Sequence, residues 1–239
     1  MRFSIITITF NAEEFLEKTL DSVAAQEFSS FEHIIWDGGS TDNTLRIAEK
    51  YDAQVHQGKD GGISDAMNKG AALAKGEILL HLHADDFLPH PKVLAYVDTA
   101  FKQHNPSWLY GQAYTVDQQG EVMRESKYRP FSHRKLRRYN TITHPATYVK
   151  RTLFEEIGGF DPTLSYCMDY DLWLRLAKRA TPHVLPSTIA SFREHSESLS
   201  TSQPRKVADE AYSVRNRYVT SPWERYKSYC TWRKRCAST

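Results

Sequence analysis

The first ninety residues switch repeatedly between two hydrophobic periods, and that alternation restricts the possible folds more than any other feature of the chain. Phe3 to Phe10 is almost wholly apolar or β-branched, the pattern of a strand covered on both faces. Residues 13 to 26 then place Phe15, Leu16, Leu20 and Val23 on one helical face. His33 to Trp36 reads as a short strand, followed by the turn DGGS and a helix from about Thr41 with Leu45, Ala48 and Tyr51 inward and Ser40 as N-cap. A weak strand near Val55, a helix over Ser64 to Ala74 and a strand over 77 to 82 complete the series. Strands separated by helices predict an α/β protein with three or four parallel strands joined by crossover helices.

Beyond Pro91 the pattern changes. A helix to about His104 leads into LYGQAYTVDQQGEVMRE, where two β-rich runs flank Gln118-Gln119-Gly120 and predict a hairpin. SHRKLRRYN is basic and aperiodic and reads as a mobile loop. A helix around 150 to 157 ends at Gly158-Gly159, and Asp169 to Ala180 carries Leu172, Trp173, Leu176 and Ala177 at helical spacing. Strands near His183 to Leu185 and Ile189 to Arg193 precede two helices. The expected division is a main domain over 1–202, with halves of about 1–90 and 91–202, and a helical extension over 203–239.

A chain of 239 residues with 40% hydrophobic and 25% charged residues can bury a sizeable core, which excludes global disorder. Three cysteines without metal-ligand spacing fit a reduced compartment. The start MRFSIITITF lacks the sections of a signal peptide, and no apolar run approaches the roughly 18 residues that span a bilayer. The expected location is cytoplasmic.

Three acidic sites each follow or open a regular element. Asp37 ends EHIIWD, Asp85 and Asp86 end EILLHLHADD, and Asp169 precedes DYDLWLRLA. If the first two strands are parallel, their acids share one sheet edge, where open α/β sheets bind ligands. One carboxylate there can accept from a base or sugar hydroxyl while another holds Mg²⁺ or Mn²⁺ beside a diphosphate. The plainer alternatives are that Asp37 starts a turn, that Asp85-Asp86 cap the next element, and that Asp169 or Asp171 complements a helix dipole.

The stretches SIITITFN, IIWDGGSTDNT, DGGISDAMNKGAALAKGEILLHLHADD and GGFDPTLSYCMDYDLWLRLA, in that order over about residues 1 to 180, resemble the family 2 glycosyltransferases. The resemblance implies a GT-A fold, a Rossmann-like, mostly parallel sheet flanked by helices, and inverting transfer from a nucleoside-diphosphate sugar, UDP foremost. The DAMNKG segment is similar to the bacterial branch that builds surface polysaccharides, which implies a saccharide or lipid-linked acceptor. It places Thr9 and Asn11 in the nucleotide pocket and Asp37 on the base or ribose. Asp60 and Asn68 fall in a segment that closes over the donor, Asn68 being equally able to make only local bonds. Asp85 matches the last acid of the metal-binding DxD motif, with Asp86 beside it, and Asp169 matches the general base.

Two positions depart from the family pattern. His83 stands where DxD has its first acid; neutral imidazole can touch ribose or bind a transition metal but supplies no negative charge. Met168 stands where an acid precedes the base, which removes a like charge beside Asp169. His195, after the last strand, is either a third metal ligand, as the resemblance implies, or structural. Arg193 is a candidate for the diphosphate, and His144 is either part of the acceptor pocket or a loop residue.

From Arg205 to Arg235 nine Lys/Arg stand against three Asp/Glu, interleaved with Tyr218, Trp223, Tyr226, Tyr229 and Trp232. That composition suits a headgroup interface or lipid diphosphate at the inner face of the plasma membrane; the alternative is a packed, solvated helix pair. Nucleic acid is not expected, because no recognition motif accompanies the basic region. A dinucleotide fingerprint and a Gly-rich phosphate loop are both missing after the first strand. An inactive sugar-nucleotide-binding or scaffold protein on the same fold stays open beside the enzyme.

Overall fold

The computed structural model describes residues 1–196, 198–219 and 221–236. Its sheet runs β3(Gln54–Gln57), β2(Phe31–Asp37), β1(Phe3–Thr9), β4(Ile78–His81), β7(Thr147–Lys150), β5(Trp108–Val116), β6(Val122–Glu125), with β8(His183–Arg193) on the other side of β5. The first four strands are parallel, as their helical connections require. β7 and β6 are antiparallel to their neighbours, and β8 is parallel to β5, so the second half of the sheet is mixed.

Strand β1 is buried on both faces because its residues feed two cores alternately. Ile6 packs with Ile34, Met67, Leu79 and Phe160, while Phe3 and Ile5 pack with Ile78, Leu80, Leu94 and Tyr148 on the opposite side. Helices α1(Leu16–Ala24), α2(Thr44–Ala48), α3(Ile63–Leu73) and α4(Val93–His104) cover the sheet. The remaining helices are α5(His133–Leu136), α6(Arg151–Glu156), α7(Met168–Arg179), α8(Leu199–Ser202), α9(Pro204–Asn216) and α10(Pro222–Cys236), with a 3-10 turn at His144–Ala146.

Several local expectations are corrected. Helix α2 begins at Thr44 rather than Thr41, since the Ser40 amide donates to Asp37 and the Thr41 amide to Asn11. Phe15 lies just outside α1, and Ile47, not Leu45, faces the core. The segment SHRKLRRYN contains α5, anchored by Leu136, which is 1% exposed, and by the Tyr170 hydroxyl, which donates to the Leu136 carbonyl at 2.6 Å. β7 escapes prediction because four residues are too few to display a period. The two last strands are one, β8; its Pro186 is tolerated on an edge strand whose register with β5 shifts at Gln112.

Helices α9 and α10 pack on each other, and α9 also packs on α7. Among the described residues no helix is long and apolar enough to cross a membrane, and Cys167 and Cys230 are free thiols.

Candidate active site

Parallel pairing sets Thr9 opposite Asp37 at the carboxyl ends of β1 and β2. Thr9 Oγ1 donates to Asp37 Oδ2 at 2.9 Å, the Ser40 hydroxyl donates to the same oxygen at 2.5 Å, and the Gly39 and Ser40 amides donate to Oδ1. These bonds outweigh the cost of burial and hold the Asp37 carboxyl below its ordinary range. Asp37 has no exposed surface, so a contact to base or ribose requires one of these donors to yield. Asn11, at φ 49°, accepts the Thr41 amide and donates its own amide to Ser40 Oγ, latching the same loop. Asp60 accepts from Trp36 Nε1 at 3.3 Å and lies over Gly38, where a Cβ would come within 2.9 Å of its Oδ2.

Asn68 does not face this pocket. Its Nδ2 donates to the Phe160 carbonyl at 2.8 Å and its Oδ1 accepts the Phe160 amide at 2.9 Å. The amide is consumed in clamping α3 to the Gly158-Gly159 turn, where both glycines have positive φ. Of the two readings of Asn68, a donor contact or a structural residue, these bonds support the structural one.

At the end of β4 the chain turns sharply, and Thr19 of α1 pins the turn by donating to the Ala84 and Asp86 carbonyls. His83, Asp85 and Asp86 each offer a ligand atom, all within 4.8 Å of one another. His195 Nε2 lies 3.2 Å from Asp85 Oδ2, with its ring against Phe15 at 4.8 Å. Burial and the Asp85 charge push the Asp86 carboxyl well above its ordinary range. Two adjacent carboxylates and the His83 imidazole form a donor set that fits a divalent cation, with His195 against Asp85 beside them and imidazole favouring Mn²⁺ over Mg²⁺.

Arg193 does not face a diphosphate. It is 3% exposed, and its guanidinium donates to the carbonyls of Asp85, Asp117 and Gln118 between the rings of Phe15 and Phe87. It braces the acidic turn against the β5–β6 hairpin.

From His83 a wall of rings leads toward α7. His83 lies 4.5 Å from His144, and His144 lies 5.9 Å from Trp173, one turn along the helix from Asp169. Burial keeps His83 and His144 below the ordinary histidine range, so both rings are neutral near pH 7. Asp169 accepts the Tyr170 amide at 2.6 Å and Asn140 Nδ2 at 2.8 Å, yet burial prevails and pushes its carboxyl up to about 6. Asp171 is excluded from such a role: it is 2% exposed and bound to Arg175, Arg217 and the Tyr218 hydroxyl.

Three supporting residues carried no signal in the sequence. Asn140 lies in the aperiodic basic stretch, and Trp173 reads as core. Glu210 of α9 accepts the amides of Ser165, Tyr166 and Cys167, which fixes the chain entering α7 just before Asp169. Only packing of a distant helix brings that carboxylate there.

Residues 4–157 match the sequence profile of Glycosyl transferase family 2. A Mycobacterium bovis protein named PGL/p-HBAD biosynthesis glycosyltransferase is 37% identical over 183 residues, 72% of this chain and 68% of its own. An uncharacterized glycosyltransferase of Mycobacterium tuberculosis is 34% identical over 195 residues, 79% of this chain and 74% of its own. Among solved structures, S. aureus TarS 1-349 in complex with UDP-GlcNAc matches with TM-score 0.76 at 21% identity, over 99% of this chain and 72% of that one. Mannosyltransferase PcManGT of Pyrobaculum calidifontis, in complex with GDP-Man and Mn2+, matches with TM-score 0.66 at 18% identity, over 100% of this chain and 76% of that one. The chain belongs to glycosyl transferase family 2 and is a glycosyltransferase of GT-A fold.

Proposed function

We propose that this glycosyltransferase moves a sugar from a nucleoside-diphosphate donor, UDP-linked foremost, to a hydroxyl of a saccharide or lipid-linked acceptor by single displacement with inversion, in cell-surface polysaccharide synthesis. The observation that carries the reading is Asp169. It is a carboxylate with a pKa raised to about 6, joined to the acidic turn by the His83, His144 and Trp173 rings. A base poised near the working pH is suited to take a proton without being trapped in its protonated form. Neighbours of the same fold in complex with UDP-GlcNAc, and with GDP-Man and Mn2+, support the donor class.

In this mechanism Asp169 accepts the proton of the acceptor hydroxyl as that oxygen bonds to the anomeric carbon. The bond from that carbon to the diphosphate oxygen breaks on the opposite face, and its electron pair leaves with the nucleoside diphosphate. Asp85, with His83, Asp86 and His195 around it, would hold Mn²⁺ or Mg²⁺, which neutralises the departing charge. Thr9, Asn11 and Asp37 shape the loop that borders the nucleotide, with Asp60 across from it.

The same reading places the enzyme at a membrane face through α10. Its outer side exposes Trp223, Tyr226 and Tyr229 among Arg225, Lys227 and Arg233, while Ser228 faces inward. Aromatic rings at headgroup depth and cations for anionic lipid suit that arrangement.

A thermal-shift panel of UDP, GDP and dTDP sugars with and without Mn²⁺, followed by NMR of the product anomer, tests the proposal. Stabilisation by one metal–donor pair and an inverted product are expected. A retained anomeric configuration overturns single displacement, and donor binding with neither transfer nor hydrolysis returns the scaffold reading.

A further inference from the structure

Beside the second, mixed half of the sheet, separate from the acidic turn, opens a concave pocket of about 100 Å³. Tyr110, Lys127, Tyr128, Arg129, Lys135 and Tyr139 line it. Some half-buried cations of this protein face carboxylates: Arg2 meets Glu77 and Asp98, and Arg175 meets Asp171. Lys127, Arg129 and Lys135 have no carboxylate partner among the described residues, although all three converge on one cavity. Three uncompensated cations around a concavity attract an anion, and guanidinium, ammonium and phenol groups are all donors suited to phosphate oxygens. Burial and Tyr128 push the Tyr110 phenol up to about 12, so it remains a hydrogen-bond donor throughout the physiological range.

The pocket's position ties it to Asp169. Thr141 and Thr143 also line it, and the same segment contacts α7 twice, through Tyr170 to the Leu136 carbonyl and through Asn140 to Asp169. His144 follows directly and begins the ring wall toward His83.

We infer that this pocket binds the phosphate or diphosphate group of the acceptor, so that the acceptor is a phosphorylated saccharide carrier rather than a neutral sugar. The assignment of the bound group to an acceptor rests on the role proposed for Asp169; the anion site itself does not. The phosphate ester can belong to a lipid carrier or to a soluble sugar phosphate, and both present the same chemistry to Lys127, Arg129 and Lys135.

The test is calorimetric titration of the full chain with sodium pyrophosphate in EDTA, so that no cation recruits it to Asp85. Wild type and Asp85→Ala are expected to bind alike, and the triple variant Lys127→Ala/Arg129→Ala/Lys135→Ala at least about tenfold more weakly. All three positions are exposed, so the fold should survive; the single variant Arg129→Glu gives the same reading if the triple variant does not fold. UDP binding with Mn²⁺, measured in parallel, should be unchanged in the triple variant, and its failure in wild type would strike the donor reading instead. Absent pyrophosphate binding in wild type, or equal binding by the variants, overturns the inference. Phosphatidylcholine vesicles carrying farnesyl diphosphate, set against soluble glucose 1-phosphate, then separate the sources: whichever binds with the same dependence on the three cations identifies the carrier.

Discussion

Asn140 Nδ2 donates to Asp169 Oδ2 at 2.8 Å, binding the loop after α5 to the carboxylate at the start of α7. A hydrogen bond to the charged form favours ionisation, so this contact restrains a pKa that burial drives upward. Asn140→Ala should therefore raise the Asp169 pKa further. The acid limb of the kcat/KM profile, expected near pH 6 in wild type, should move upward by about one unit or less. An unmoved or downward-shifted limb would detach Asn140 from the base.

Replacing Asp169 by Asn should lower kcat by about 10² to 10⁴ while leaving nucleotide binding intact. The substitution also has a stability signature. Asp169 has a folded pKa above the ordinary carboxylate value of 3.8, so its ionisation weakens the fold as pH rises from about 4 to 6. The stability of Asp169→Asn relative to wild type should thus increase across that window and level off above it. Parallel thermal melts from pH 4 to 8 measure this, and a flat difference would show an unperturbed carboxyl.

EDTA should abolish transfer, and Mn²⁺ should restore it more effectively than Mg²⁺, because His83 offers imidazole where the usual motif offers oxygen. His83→Asp should narrow that gap by returning a hard ligand. Calorimetry of UDP with each ion checks the point; a wild-type preference for Mg²⁺, or a gap indifferent to His83, contradicts it.

Asn68→Ala leaves the Phe160 amide and carbonyl without their partners and opens space beside Gly159. The expected cost is about 2 kcal/mol, seen as a lower urea midpoint with unchanged slope. Donor KM should stay within about twofold for the folded fraction, since a residue that only clamps backbone contributes no differential binding. A large KM change with native stability would restore Asn68 to the donor pocket.

The combined variant Trp223→Ala/Tyr226→Ala/Arg233→Glu should lose flotation with phosphatidylglycerol vesicles while retaining soluble-donor hydrolysis. Each cation near an anionic surface contributes about 1 kcal/mol, and the rings add their buried area. Equal flotation of variant and wild type would assign α10 to the core alone.

The first half of the sheet was legible because each of its elements repeats its period long enough to be recognised, and because strand ends must place their acids on one edge once the crossovers are helical. Asp85 and Asp169 are singled out as candidates by motif order in the same way. The opposite holds for β7, α5 and Asn140, which are too short or too irregular for any pattern to register. Asn68 and Arg193 misled for a different reason: a polar side chain in a motif reads the same whether it faces a ligand or a backbone. Only the position of Phe160 relative to α3, or of the β5–β6 hairpin relative to β4, decides between the two.

The chain's own sequence determined the alternating α/β order, the parallel edge, the acidic turn and the family, since these follow from local period and spacing. Tertiary structure decided what each polar group does. It saturated Asp37 with internal donors, buried Asp169 enough to overcome two hydrogen bonds, brought Glu210 under the start of α7 and left Lys127, Arg129 and Lys135 facing one cavity. Desolvation and long-range pairing depend on which segments meet, and that is a property of the packed molecule.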